Sequence, residues 1–236
     1  MDLMTISIAE NVARVFERVN TAELKQGRRE GEVSVVGISK TFDAQAIIDA
    51  VSAGITDIGE NRIQEAEMKF PNTIGGFKKH MVGHLQSNKI NKALRLFDII
   101  HSVDSLKLAK KIASSGGNDK EFLLEVNTSG EESKFGIKPE ETLDMLSEIT
   151  GATGLTLSGL MTVGPRSTDE SKIRSAFRKL KSLYDDASAL NTKGIDMKYL
   201  SMGMTNDFEI AIEEGSNMVR IGRAIFGERS IGRIDW

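Results

Sequence analysis

Short apolar runs alternate with longer amphipathic stretches along the whole chain. Eight of the runs read as strands: Val33 to Ser39, Thr56 to Gly59, Lys79 to His84, Ile99 to Val103, Phe122 to Asn127, Thr156 to Val163, Lys198 to Met202 and Met218 to Gly222. They are rich in Val, Ile, Leu and Met and alternate little, the pattern of strands covered on both sides by helices. The stretches between them read as helices. Ala44 to Ala53 closes at Gly54, Glu140 to Thr150 at Gly151 and Phe208 to Glu214 at Gly215, each glycine in the position that ends a helix. Asn206, with Glu209 three residues on, reads as a capping pair for the last of these. Ser171 to Leu190 is a long amphipathic helix, and an extra helix over Ile6 to Asn20 precedes the first strand. Eight strand–helix units in one register fit a closed (β/α)8 TIM barrel or an open doubly wound α/β sheet. The count of eight, with no G-x-G-x-x-G and no P-loop, favours the barrel, occupying residues 1–236 as a single domain. In either architecture the chemistry belongs where strands end and loops begin.

Composition narrows the function classes. With 31 Lys+Arg against 34 Asp+Glu the net charge is −3, without the basic face expected of a nucleic-acid binder. The 39% hydrophobic and 28% charged content is that of an ordinary globular protein. No run approaches the roughly 18–20 apolar residues of a membrane span. The first residues lack a secretory pattern, so a cytoplasmic protein is expected. Cysteine is absent, which removes disulfides, thiolate metal sites and cysteine nucleophiles, and the 3 histidines argue against a histidine-rich metal centre.

Three places can carry chemistry. Lys40 ends the first strand in Val36-Gly37-Ile38-Ser39-Lys40-Thr41, where burial disfavours the charged form and a neutral amine can form a Schiff base with a carbonyl. Ser201-Met202-Gly203-Met204-Thr205-Asn206 leaves the seventh strand, and Met218 to Arg223 forms and leaves the eighth, the pair of loops that often binds phosphate in barrels. There the Ser201 and Thr205 hydroxyls can donate, and Gly203 and Gly222 allow backbone amides close to an anion. Arg220 shares a strand face with Gly222; facing the interior, its guanidinium would need an anion or polar ligand atom. Gly59 to Arg62, Gly83 to Lys89 and Asn127 to Gly136 are polar strand-end segments that could hydrogen-bond one ligand. Glu131 and Glu132, adjacent on a turn, are not expected to converge as an acid/base pair. His84 reads as structural, and Lys78-Lys79-His80 as a solvated charge run.

Seven segments, in order, resemble one family: Ile38-Ser39-Lys40-Thr41, Gly59-Glu60-Asn61, His84 to Lys89, Glu132-Ser133-Lys134, Ser158 to Met161, Leu200 to Met204, and Val219 to Gly222 with Ile225-Phe226-Gly227. The chain resembles the pyridoxal 5′-phosphate (PLP) homeostasis proteins, single-domain relatives of the alanine racemase barrel. The resemblance implies a fold type III-like PLP barrel in which Lys40 forms the Schiff base and Arg220 lies near the cofactor's ring nitrogen. It further implies that Ser201, Gly203 and the backbone around Gly222 cradle the phosphate, and that Asn61 and Met161 line the cofactor. Many members carry a threonine after the glycine; here it is Arg223. Its charge or its amide would take that contact.

The resemblance also bears on catalysis. An arginine at the ring nitrogen stays protonated, so the pyridine cannot readily take up a proton, which weakens the cofactor as an electron sink. Racemisation needs two opposed bases, and in the racemases this barrel resembles the second comes from an additional C-terminal domain. The sequence ends at Trp236 soon after the eighth strand, so no such domain is expected; Tyr184 in its helix and Tyr199 on strand seven read as packing residues. The leading expectation is a PLP carrier, monomeric or weakly dimeric, with apo PLP-dependent enzymes as candidate recipients. A weak PLP-dependent racemase and a phosphate-ligand barrel enzyme without PLP are the alternatives.

Overall fold

The computed structural model describes residues 6–228. Parallel strands buried on both faces lose their exposed edges when they close on themselves, and these strands do so in chain order. They are β1 (Ser34–Ile38), β2 (Asp57–Glu60), β3 (Lys78–Met81), β4 (Ile99–Val103), β5 (Glu121–Glu125), β6 (Leu157–Met161), β7 (Ile195–Met204) and β8 (Met218–Ile221). Closure excludes the open sheet, and the eight predicted strands are the eight observed, with shifted ends. The seam is a parallel pairing of β1 with β8 in which Val36 faces Arg220 and Gly37 faces Ile221.

The connecting helices are α2 (Ala44–Ser52), α3 (Ile63–Lys69), α4 (Ile90–Leu96), α5 (Leu106–Ser114), α6 (Thr142–Thr153), α7 (Glu170–Ala189) and α8 (Phe208–Glu213), with a short α9 (Arg223–Phe226) after β8. The leading helix α1 (Ile8–Lys25) runs further than its pattern predicts. Ser7 and Glu10 form its capping box, and its apolar face packs on α2, α8 and α9, which flank the closing strands. Asn11 bonds the Ile225 carbonyl and Arg28 the Ser216 carbonyl, so α1 braces the β8–β1 seam.

Two sequence readings of helix ends need correction. Gly151 lies inside α6, which continues to Thr153 and stops at Gly154 in the left-handed region (φ 69°). The residue at the start of α8 is Asp207 rather than Asn206, and its carboxylate accepts from the Met204 amide at 2.6 Å instead of capping the helix.

The main core lies between sheet and helices. The barrel interior holds only two small apolar clusters, one around Val36, Ile38 and Met218 and one around Ile99, Leu123 and Met161. The rest of it is polar: Asp57, His80, His101, Ser201, Glu125 and Arg220 are all buried. No helix among the described residues is long and apolar enough to cross a membrane.

Candidate functional site

The β1–β8 register brings the ends of the first and last strands together at the carboxyl rim. There Lys40, Arg220, Gly222 and Arg223 line one cavity of about 850 Å³, with the segment after β6 (Arg166 to Thr168) and the segment after β7 (Thr205 to Asp207) on its other walls. Three guanidinium groups against one carboxylate make this an anion-attracting cleft. At Gly222 an added Cβ would meet only the Ile38 backbone oxygen at 3.5 Å and the Ile38 Cβ at 3.7 Å. Packing alone would therefore tolerate a side chain at residue 222; what the glycine preserves is space beside the cavity.

Lys40 sits in a tight turn. The Phe42 amide donates to the Ser39 carbonyl at 3.1 Å, and Thr41 has φ 71°, a conformation a β-branched residue rarely adopts. A buried ion cluster holds it. The Lys69 ammonium donates to the Ser39 carbonyl (2.9 Å), Glu60 (2.8 Å) and Glu65 (2.9 Å). Ser39 donates its hydroxyl to Glu60 at 2.7 Å, and the strained Thr41 amide donates to Glu65 at 2.8 Å. Both residues flanking Lys40 are thus fixed, and the lysine stem leaves a rigid base, as a precisely placed nucleophile requires.

Arg220 is buried, and desolvation pushes its pKa down to about 10 against the opposing pull of Glu125 and Asp207. Its Nη1 donates to Ser201 Oγ at 2.6 Å and its Nη2 to the Thr162 carbonyl at 2.7 Å. A guanidinium has five N–H groups, so donors remain for a ligand in the cavity it lines. Glu125, at the carboxyl end of β5, is pushed up to about 7 by burial and by Asp104, with Arg220 opposing. Its folded state therefore holds a proton that the unfolded chain releases at lower pH, and stability falls as pH rises from the ordinary carboxylate range through about 7. Glu125→Gln is expected to remove this fall, gaining on the order of 2–3 kcal/mol over the parent above that range and little below it. Urea unfolding at both ends of the window checks it; an equal offset at both would show that the carboxyl does not titrate this way.

Of the residues predicted to meet, Lys40, Arg220, Gly222 and Arg223 share the cavity. Ser201 does not line it: its buried hydroxyl lies between Arg220 Nη1 and His101 Nδ1 (3.2 Å), and the hydroxyl that lines the wall is Thr205. The pairing of β7 with β8 shifts register between Ser201 and Met204, which re-aims the residues on either side. Gly203 serves packing: with φ 96°, a Cβ there would come within 2.5 Å of Ala211 Cβ on α8. Met161 lies in an interior apolar cluster, and Asn61 lines a different cavity of about 550 Å³ on the same rim, beside His84 and Gln86.

His80 is a clear correction. It is fully buried, bonded to Asp57 and His101, rather than part of a solvated run. The strand's own pattern carries no signal for this, since burial rises along β3 from exposed Lys78 to buried His80 and Met81 instead of alternating. Arg166, Asp207 and Glu125 were not singled out from the sequence, because their roles depend on which loops meet. Lys134, from the resembling segments, ties two rim loops together through Glu131 (2.7 Å) and the Gly164 carbonyl (2.6 Å). His84 stacks on Phe135 with ring centroids 4.1 Å apart. The tyrosines are engaged elsewhere: Tyr184 donates to the Met197 carbonyl at 2.6 Å, and Tyr199 to Glu121 at 3.1 Å, at the start of β5.

Comparison with known proteins bears on the family and the fold. The alanine racemase N-terminal domain family matches residues 18–230. A Pseudomonas aeruginosa protein named pyridoxal phosphate homeostasis protein is 37% identical, covering 96% of this chain and 97% of that one. The structure of PipY from Synechococcus elongatus with PLP bound superposes with TM-score 0.79 at 28% identity, covering 94% of this chain and 100% of PipY. Alanine racemase of Clostridium difficile shares the fold, with TM-score 0.71 at 16% identity over 95% of this chain and 58% of its own.

Proposed function

The chain belongs to the pyridoxal phosphate homeostasis proteins, built on the alanine racemase N-terminal domain, and from that premise we propose that its rim cavity holds PLP on Lys40 for storage and release rather than for turnover. PLP supplies an aldehyde that an amine captures reversibly, a pyridine nitrogen and a phosphate anion. The residues present fit those demands. Lys40 offers the amine from a fixed turn; Arg220 offers donors to the ring nitrogen from the adjacent strand. Thr205, the open floor at Gly222 and the neighbouring Arg223 suit the phosphate. The observation that carries the reading is that Lys40 and Arg220, 180 residues apart by their numbers (220 − 40), line one cavity.

Restraint from catalysis follows from two placements. A buried arginine that keeps its proton cannot give one to the ring nitrogen, so charge developing on a bound substrate would be poorly delocalised. Neither tyrosine hydroxyl reaches the cavity to act as an opposed base. Release to apo PLP-dependent enzymes is the use such a carrier serves.

The test is to equilibrate the protein with PLP, reduce with borohydride and map the adduct by mass spectrometry, then follow α-proton exchange of amino acids in heavy water. Label confined to Lys40 with negligible exchange is expected. Label on another lysine removes the site assignment, and exchange at enzymatic rates favours a racemase.

A further inference from the structure

A line of polar side chains runs down the barrel interior from Arg220 to the opposite end. Arg220 Nη1 contacts Ser201 Oγ at 2.6 Å; Ser201 Oγ contacts His101 Nδ1 at 3.2 Å; His101 Nε2 contacts His80 Nδ1 at 2.9 Å; His80 Nε2 contacts Asp57 Oδ1 at 2.9 Å. These residues come from β8, β7, β4, β3 and β2, and Asp57 is the first residue of its strand, so the line spans the interior from rim to base.

The two ends of the line have fixed roles. A guanidinium can only donate, and an ionised carboxylate can only accept. Ser201 therefore accepts from Arg220, and His80 donates through Nε2 to Asp57. With the Ser201 hydroxyl donating to His101 Nδ1, His101 Nε2 donates to His80 Nδ1. Charges around the line act on its members. Burial, then His80 and Arg220, hold the His101 pKa far below its ordinary value. Burial works against the Asp57 carboxylate, but His80 and Thr56 outweigh it and keep it below the usual range. Lys78 adds to that pull at the base, while Glu125 and Asp207 face Arg220 at the rim.

We propose that Ser201, His101, His80 and Asp57 are positioning residues that orient and polarise Arg220 toward the cofactor's ring nitrogen, so that a carboxylate at the base of the barrel acts on a ligand at its rim. This rests on the reading of the rim cavity as the PLP site. A guanidinium tethered at Nη1 to the relay and at Nη2 to the Thr162 carbonyl has both of its terminal nitrogens fixed. Through the relay the distant Asp57 carboxylate counters the buried guanidinium charge, in addition to Glu125 and Asp207 at the rim.

Nitrogen-15 histidine NMR on the ligand-free protein tests the relay alone, since only His80, His84 and His101 contribute signals. Near neutral pH, His101 is expected as the neutral Nε2–H tautomer, coupled to His80 so that Asp57→Asn moves the His101 Nδ1 resonance. With PLP loaded, Asp57→Asn is expected to shift the absorption band of the bound cofactor and speed its release about 5–10-fold, a coupling of ordinary size for distant sites. Should Asp57→Asn not fold, Ser201→Ala, which cuts the relay beside Arg220, takes its place. An Nδ1–H or doubly protonated His101 overturns the proposal, as does an unchanged band and release rate in the cut relay. Failure of the borohydride label at Lys40 in the parent protein would instead remove the PLP reading, and the tautomer result would stand apart from it.

Discussion

Replacing Lys40 with alanine is expected to abolish covalent capture of PLP. Borohydride then fixes no label in the protein, and PLP no longer co-elutes on gel filtration. Arg220 and the loops after β7 and β8 still offer contacts, so residual reversible binding persists, weaker by about 100-fold or more, roughly 3 kcal/mol. The same loss is visible without activity: saturating PLP raises the melting temperature of the parent protein through binding linkage, and raises that of the variant much less. The magnitude follows from placement. Ser39 and Thr41 are both pinned by the Glu60–Lys69–Glu65 cluster, so the backbone at Lys40 is ordered before the aldehyde arrives, and no other lysine lines that cavity. Labelling that survives in Lys40→Ala would mean the amine is elsewhere and the rim cavity is not the site.

Lys69→Met is expected to be the most destabilising single change near the site. It removes the cation between two buried carboxylates while keeping the volume of the side chain. Glu60 already has its pKa raised by burial, opposed chiefly by Lys69, and its Oε2 has no hydrogen-bond partner. Glu65 is held low by the Thr41 amide and Lys69 against its burial. Breaking a buried pair from one side costs about 3–5 kcal/mol, which lowers the melting temperature of a barrel of this size by roughly 10 °C. Because Glu65 also anchors the strained Thr41 turn, Lys40 loses its fixed base and the rate of PLP capture falls as well. Adding Glu60→Gln to Lys69→Met should recover part of the stability, as the orphaned charge is removed. A cost below about 1 kcal/mol would show that the cluster does not hold the turn.

Much of the fold is written in local pattern. Runs such as Phe122 to Leu124 are apolar on both faces, which a sheet covered on the inside and outside satisfies. Lys40 and Arg220 were legible because each breaks such a run at its carboxyl end, where a barrel gathers its chemistry. Ser201 was harder. Ser201 and Thr205 are both hydroxyls near the end of strand seven, and the register shift that separates their roles is a property of the β7–β8 pairing. His80 misled for a related reason: beside two lysines its segment reads as surface, and nothing nearby announces that Asp57 and His101 wait on the neighbouring strands.

The amino-acid order alone determined the number of strands and which side chains end them, because hydrophobic period and helix-stopping glycines act over a few residues. Closure of β1 on β8 decided that Lys40 and Arg220 meet, and the pairing of five separate strands decided that a buried arginine is joined to a distant carboxylate. Burying a polar group is tolerable only when partners arrive from elsewhere in the chain, so its fate cannot be settled by its neighbours in sequence.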